Sequence, residues 1–304
     1  MTNRRDIAIL LATYNGEKFL REQFDSLLAQ TYQNWTCYIH DDGSTDSTVK
    51  IIAEYSDNSD KFIALNYPPQ GGGGKNFFSM VRKVDAPYIM FCDQDDVWIP
   101  EKIEKTLNKM RQTDRTDGPV CVFTDMKVVD ANLNIIRESL YHDAEKQEFS
   151  FKSVFFCGGM LGCTMMINKI LADYARKVEP CNTVLYHDSL CAYIALSEGV
   201  ALFIPEPTIL YRQHSGNLFG AVELPKLRFP NIPYRSVIRK VYHFIKYVVL
   251  KYPLKHFARY KGEADELLLC GVLHNQENID FLKKVSYSAE SDKFWLLNES
   301  IWKR

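Results

Sequence analysis

Six consecutive apolar residues, Ile7-Ala8-Ile9-Leu10-Leu11-Ala12, run straight into the polar turn Thr13-Tyr14-Asn15-Gly16, and this junction limits the fold more than any other feature. A strand without polar alternation is buried on both faces, as in a parallel sheet covered by helices on each side. Leu20, Phe24, Leu27 and Leu28 then recur at helical spacing. The alternation continues with a strand from Trp35 to His40, the turn Asp41 to Asp46, a helix from Ser47 to Tyr55 and a strand over Lys61 to Asn66. Next come a flexible Gly71–Gly74 loop, a helix through Phe77, Phe78, Val81 and Val84, and a strand at Tyr88 to Phe91. Alternating strands and helices predict an α/β chain, a Rossmann-like, mostly parallel sheet flanked by helices. A helix from Pro100 to Met110 and strands at Val120–Thr124 and Ala201–Ile204 extend the pattern.

In such sheets ligands bind beyond the carboxyl ends of the strands. Thr13-Tyr14-Asn15, Asp41-Asp42 and Asp93-Gln94-Asp95-Asp96 each follow a strand, so one edge collects three polar clusters. The acidic cluster ends an apolar run, where like charges repel and desolvation adds to the cost. A hard divalent cation, Mn²⁺ or Mg²⁺, offsets that repulsion and binds through one or two carboxylates plus substrate phosphates. An isolated Asp-rich turn would read as a solvated loop. Ser44 or Asp46 is placed to cap the helix that follows. Gly158, Gly159 and Gly162 mark close backbone approach within the apolar stretch Val154 to Met166. The run Gln70 to Asn76 lacks the spacing of a P-loop.

The stretches "LLATYNGEKFL", "DDGSTDST", "FCDQDDVW", "LGCTMMIN", "YHDSLCAYIAL" and "YRQHSGN", in this order, resemble the inverting glycosyltransferases of family 2, which have a GT-A fold. The narrower likeness is to bacterial rhamnosyltransferases of cell-wall and capsular polysaccharide assembly, which use dTDP-L-rhamnose. The resemblance implies that Thr13, Tyr14 and Glu17 line the nucleotide pocket, that Asp42 holds the base and that Asp93 approaches the ribose. It assigns Asp95 to the metal, with His214 completing the shell, and Arg212 to the diphosphate. Asp188 becomes the general base on the acceptor hydroxyl. Asn76 falls in a loop of the donor site whose usual Asn-x-Gly-x-x-x-Asn pattern is here Gln70 to Asn76. Ser189 stands where the subgroup has an aromatic residue, which leaves the sugar open. Read without the resemblance, His187-Asp188 would cap a helix beginning near Ser189, His214 would be a structural histidine and Arg212 a surface ion pair.

The implied partners are a nucleoside-diphosphate sugar and a lipid-linked glycan acceptor. The competing readings are a nucleotidyltransferase making sugar nucleotides, whose glycine-rich phosphate loop is missing near Thr13, and a non-catalytic sugar-nucleotide-binding protein. The catalytic domain is expected over residues 1–220, with a helical C-terminal extension over 221–304. From Lys226 to Lys261 there are ten Lys or Arg and no Asp or Glu, interleaved with aromatics. Val237, Ile238, Val241, Ile245, Val248 and Val249 share one helical face and Arg239, Lys240, His243 and Lys246 the other. Such a helix lies in an anionic headgroup layer, or packs its apolar face on the catalytic domain or on a second copy in a homo-oligomer. No nucleic-acid recognition motif accompanies it. A net charge of −1 names no partner, and the eight cysteines form no C-x-x-C pair. Without an apolar run of membrane-spanning length, a cytoplasmic enzyme is expected, peripheral on the inner membrane face at most.

Overall fold

The computed structural model describes residues 5–113, 117–141, 149–178, 185–215, 217 and 253–290. Its first half alternates β1 (Ile7–Thr13), α1 (Leu20–Leu28), β2 (Trp35–Asp41), α2 (Thr48–Asn58), β3 (Phe62–Ala64), α3 (Gly73–Lys83) and β4 (Tyr88–Cys92). Then follow β5 (Val97–Trp98), α4 (Lys102–Thr113), β6 (Val120–Val129), β7 (Ile135–Arg137), α5 (Phe151–Cys157) and a 3-10 turn (Gly162–Thr164). The chain continues through β8 (Met165–Asn168), α6 (Lys169–Arg176), α7 (His187–Glu198), β9 (Val200–Arg212), α8 (Pro253–Cys270) and α9 (Gln276–Glu290).

The strands form one sheet in the order β3-β2-β1-β4-β8-β6-β9-β5, with β7 paired to β6. Strands β1, β2, β3, β4, β6 and β9 share one direction, whereas β5, β7 and β8 run against them. The carboxyl ends of β1, β2, β4 and β9 therefore meet on one edge. Strand β9 is longer than its apolar stretch Ala201–Ile204 suggests. It stays paired with β6 as far as Val129–Arg212, which carries the Tyr211-Arg212-Gln213-His214 segment to that edge.

Successive residues of β1 point to opposite faces, as the pleat requires. Ala8 and Leu10 join the apolar layer built with α3, α5, α6 and α7, while Ile7, Ile9 and Leu11 join that of α1, α2 and α4. The burial expected of β1 is present through Leu11, with Ala12 half-buried. The C-terminal helices extend the first layer: Leu267, Phe281, Leu282 and Val285 belong to it. Tyr260 Oη donates to the Phe156 carbonyl at 2.9 Å, and Asn278 Nδ2 donates to Ser197 Oγ at 3.1 Å. The basic amphipathic stretch through Val249, and the expected boundary at residues 220 and 221, lie outside the described residues. Among the described residues no helix is long and apolar enough to cross a membrane.

Gly199 ends α7 where the chain turns into β9, and a Cβ there would lie 1.9 Å from the Pro119 carbonyl oxygen. That carbonyl accepts the Val200 N–H at 2.9 Å and is fixed by the sheet. Gly199→Ala should lower stability by about 2–3 kcal/mol, the cost of overpacking against immobile backbone, read from urea denaturation midpoints.

Candidate active site

The turns after β1 and β2 are laced together. Thr13 Oγ1 donates to Asp41 Oδ1 at 2.8 Å, and Asn15 Oδ1 accepts the Thr45 N–H at 2.8 Å. Asn15 takes a positive φ of 47°, which its short polar side chain tolerates. Glu17 accepts the Ser47 N–H at 2.8 Å, and Asp46 accepts the Thr48 N–H at 2.9 Å, so both carboxylates serve the start of α2. Tyr14, by contrast, projects from the edge with its ring 57% exposed. Asp42 lies beside it and receives backbone N–H groups from Gln70, Gly71 and Gly72. Asn76 does not face this space: it is buried, and its Nδ2 donates to the His40 carbonyl at 3.0 Å.

At the end of β4, Gln94 joins the acidic turn to the Tyr14 turn. Its Oε1 accepts the Tyr14 N–H at 2.9 Å and its Nε2 donates to the Tyr14 carbonyl at 3.0 Å. The three acids then divide. Asp95 Oδ2 lies 2.8 Å from His214 Nε2, both groups half-buried. Asp96 is buried, with Oδ1 accepting the Arg212 N–H at 3.0 Å and Oδ2 without a partner. Cys163 Sγ lies within 4.8 Å of an Asp93 carboxylate oxygen; burial, helped by Asp95 and Asp188, pushes the Asp93 carboxyl up to about 7. Burial also holds Asp96 well above the carboxylate range and pushes Lys102 down to about 8.

Arg212 points away from the edge. Its Nε donates to the Asp95 carbonyl at 2.7 Å, Nη1 to the Ala131 carbonyl at 2.7 Å and Nη2 to Glu22 at 2.6 Å. Its guanidinium carbon lies 4.4 Å from the Phe19 ring centroid, and the His214 ring lies 4.8 Å from the same ring. It is fully enclosed, and it orients the acidic turn from behind.

Asp188 sits in the first turn of α7, which begins at His187, two residues before the expected start. Its Oδ2 accepts the Gly162 N–H at 3.2 Å, and Oδ1 accepts the Ser189 N–H at 2.7 Å. A Cβ on Gly162 would come within 2.7 Å of His187 Nε2, so the close approach expected of this glycine is to the ring just before Asp188. The next residue, Cys163, lies near Asp93, so one 3-10 turn adjoins Asp188 and the β4 acids in succession.

The edge therefore gathers Tyr14, Asp42, Asp93, Asp95, His214 and Asp188, while Thr13, Glu17, Asn76 and Arg212 spend their polar groups on the walls. Gln94, Cys163 and Phe19 lie within the quoted stretches, but the sequence gives them no role of their own: an amide between two acids, a thiol in an apolar run and a lone aromatic read as filler. As a metal donor set, Asp95 and His214 converge one carboxylate oxygen and one imidazole nitrogen, a combination suited to Mn²⁺. A second group, Asp93, Asp96 and Cys163, has its ligand atoms within 4.8 Å of one another, with the last two buried.

An α/β sheet with acids, a histidine and a helix-borne carboxylate along one edge is the arrangement of a GT-A fold. The comparisons agree. Residues 8–171 match the profile described as Glycosyl transferase family 2, and the chain belongs to that family. It is 31% identical over 227 residues to the dTDP-rhamnosyl transferase RfbG of Shigella flexneri, covering 69% of this chain and 74% of that protein. It is 32% identical over 104 residues to the UDP-Glc:alpha-D-GlcNAc-diphosphoundecaprenol beta-1,3-glucosyltransferase WfgD of Escherichia coli, covering 34% of this chain and 40% of that one. Its fold is similar to that of S. aureus TarS 1-349 in complex with UDP-GlcNAc, with a TM-score of 0.59 at 15% identity, covering 95% of this chain and 88% of that one. The chain is an enzyme that transfers a sugar from a nucleotide-sugar donor.

Arg212→Met should leave two partly buried carbonyls without donors and cost about 3 kcal/mol in urea denaturation. Glu22→Gln keeps an acceptor for Nη2 on a half-exposed side chain and should cost less than about 1 kcal/mol.

Proposed function

We propose that this enzyme transfers L-rhamnose from dTDP-L-rhamnose, with inversion, to a hydroxyl of a lipid-linked cell-surface polysaccharide. Asp188 acts as base, and Asp95 with His214 hold a divalent cation. The observation that carries the site reading is the 3-10 turn in which the Gly162 N–H bonds Asp188 and the neighbouring Cys163 Sγ lies within 4.8 Å of an Asp93 carboxylate oxygen, so the proposed base and donor carboxyls lie along one edge. The likeness to RfbG supports the rhamnosyl donor, and the likeness to WfgD supports the lipid-linked acceptor.

A sugar hydroxyl is a weak nucleophile and needs a base within hydrogen-bond reach. Asp188 takes the hydroxyl proton as the acceptor oxygen bonds to the anomeric carbon, and the carbon–oxygen bond to the diphosphate breaks with its electron pair. The nucleoside diphosphate departs, and one displacement inverts the anomeric centre. A cation held by Asp95 and His214 supplies counter-charge for the diphosphate. Asp42 receives the base, Asp93 the ribose and Tyr14 flanks the nucleotide. Arg212 and Glu17 act on the walls, holding the loops that carry these groups.

The domain division at residue 220 and the membrane role of Lys226–Lys261 belong to the same proposal. The supporting feature is charge: ten cationic side chains with no acid favour an anionic leaflet, where the acceptor lipid resides. Sedimentation with anionic liposomes that is indifferent to lipid charge and salt would remove this part of the reading.

Asp188→Asn should lower transfer at least about 100-fold, measured as nucleoside diphosphate release, with donor affinity retained. Asp95→Ala should raise the donor KM and abolish the response to added Mn²⁺, and chelation of wild type should do the same. Wild-type turnover by Asp188→Asn would place the base elsewhere. In a thermal-shift panel with Mn²⁺, dTDP-L-rhamnose at about 100 times its Kd should stabilise the fold by about 2.7 kcal/mol. A larger shift from UDP-glucose would reassign the donor.

A further inference from the structure

Asp42 is held by a closed loop of its own. Its Oδ1 accepts the N–H groups of Gln70 and, at 3.1 Å, of Gly71; its Oδ2 accepts the Gly72 N–H at 2.5 Å. Both ends of the loop are tied to His40, two residues before Asp42. His40 Nε2 lies 3.0 Å from the Tyr67 carbonyl, the two rings stack at 3.6 Å and 7°, and His40 Nδ1 lies 2.7 Å from Asn76 Oδ1. Tyr67 opens the loop and Asn76 closes it, with Asp42 clasped in the middle. Gly43, at φ 91°, packs against Pro69 and completes the wall.

Consecutive N–H groups can converge on one carboxylate only if the backbone enters the left-handed region. Gly71 and Gly72 do so, at φ 79° and 131°. Neither has an atom within 4 Å of where a Cβ would stand. Alanine there meets conformational strain without a clash, so its effect reports on the loop's path alone.

We propose that Gly71 and Gly72 are positioning residues for Asp42, forming a backbone cradle that presents its carboxylate to the nucleobase and limits which base it accepts. The proposal rests on the reading of Asp42 as the base-binding residue. A carboxylate offers about four acceptor positions. The cradle fills three of them, leaving room for one donor. The lone imide N–H of thymine or uracil fits that vacancy. The paired donors of guanine, N1–H and N2–H₂, need both oxygens, and the one that falls on Oδ1 must compete with the Gln70 and Gly71 N–H groups.

The test is calorimetric binding of dTDP and GDP with Mn²⁺ to the full chain, for wild type, Asp42→Ala, Gly72→Ala, Gly71→Ala and the Asp42→Ala/Gly72→Ala double variant. Gly73→Ala is the control, because Gly73 has neither a positive φ nor a neighbour around its Cβ position. Asp42→Ala and Gly72→Ala should each weaken dTDP binding about tenfold, and the double variant should be no weaker than Asp42→Ala alone. Gly71→Ala, which loosens a contact on the doubly occupied Oδ1, should also narrow the preference for dTDP over GDP, which a general loss of stability does not do. Additive losses in the cycle, or an unchanged preference, overturn the cradle while leaving Asp42 at the base. Wild-type dTDP affinity in Asp42→Ala overturns the assignment of Asp42 itself. Should Gly72→Ala fail to fold, Gly71→Ala carries the same cycle through Oδ1.

Discussion

One buried guanidinium organises the acidic half of the site. Removing Arg212 from water is expensive, and such a group persists only when its donors are met. Here Nε, Nη1 and Nη2 each find an oxygen, and the flat face rests on Phe19. The planar fork suits this work; lysine, a point charge on a flexible stem, could not reach three separated acceptors at fixed angles. By drawing in the Asp95 carbonyl it sets the backbone of the acidic turn. Its own N–H holds Asp96, and two residues on His214 meets the Asp95 carboxylate. Asn217 closes the segment, donating to the Arg212 carbonyl at 2.8 Å and accepting the His214 N–H at 2.6 Å. The geometry of Asp95 and His214 thus descends from a residue that never faces the cleft.

Desolvation acts on both signs of charge around this turn. It raises the carboxyls of Asp93 and Asp96, and it lowers the ammonium of Lys102, which lies 4.8 Å from the Trp98 ring centroid. Asp96 is the extreme case, fully enclosed with one oxygen unpartnered. Such a group is costly wherever it charges, and Lys102 provides only a weakened counter-charge. Asp95 stands nearer the rim, beside His214. The division of labour among the three acids therefore follows depth: the outermost is placed to meet a ligand, the innermost to brace the turn.

The fold was largely legible because burial on both faces leaves a strong sequence mark, and β1, β2 and β4 fall where their apolar runs lie. The cleft was legible as strand-end clusters, and the structure brings Tyr14, Asp42, Asp93, Asp95, His214 and Asp188 to one edge. What the sequence concealed was direction. Nothing in the identity of Arg212 says that its fork turns inward, and nothing in Asn76 says that it pairs with His40 rather than a ligand. Strand β9 carries Pro205 and Pro207 beyond its apolar stretch, so its pairing as far as Arg212 depends on a tertiary ladder with β6 and on register shifts near Thr124 and Asp125. Polar residues advertise their chemistry but not their partners, and partner choice is settled by contacts remote in sequence.

The Asp188 side of the edge shows how little room that choice leaves. His187 packs 4.2 Å from the Phe77 ring and 4.7 Å from the Phe91 ring, with neither ring nitrogen hydrogen-bonded. Burial lowers its pKa, against the pull of Asp188, so the ring is held neutral. A neutral ring gives Asp188 no cationic partner to tie up its oxygens, and backbone N–H groups orient them instead. The ring fits only because residue 162 has no side chain, and the same absence lets the Gly162 N–H reach the carboxylate. One missing methyl group thus sets the position of both members of the His-Asp pair.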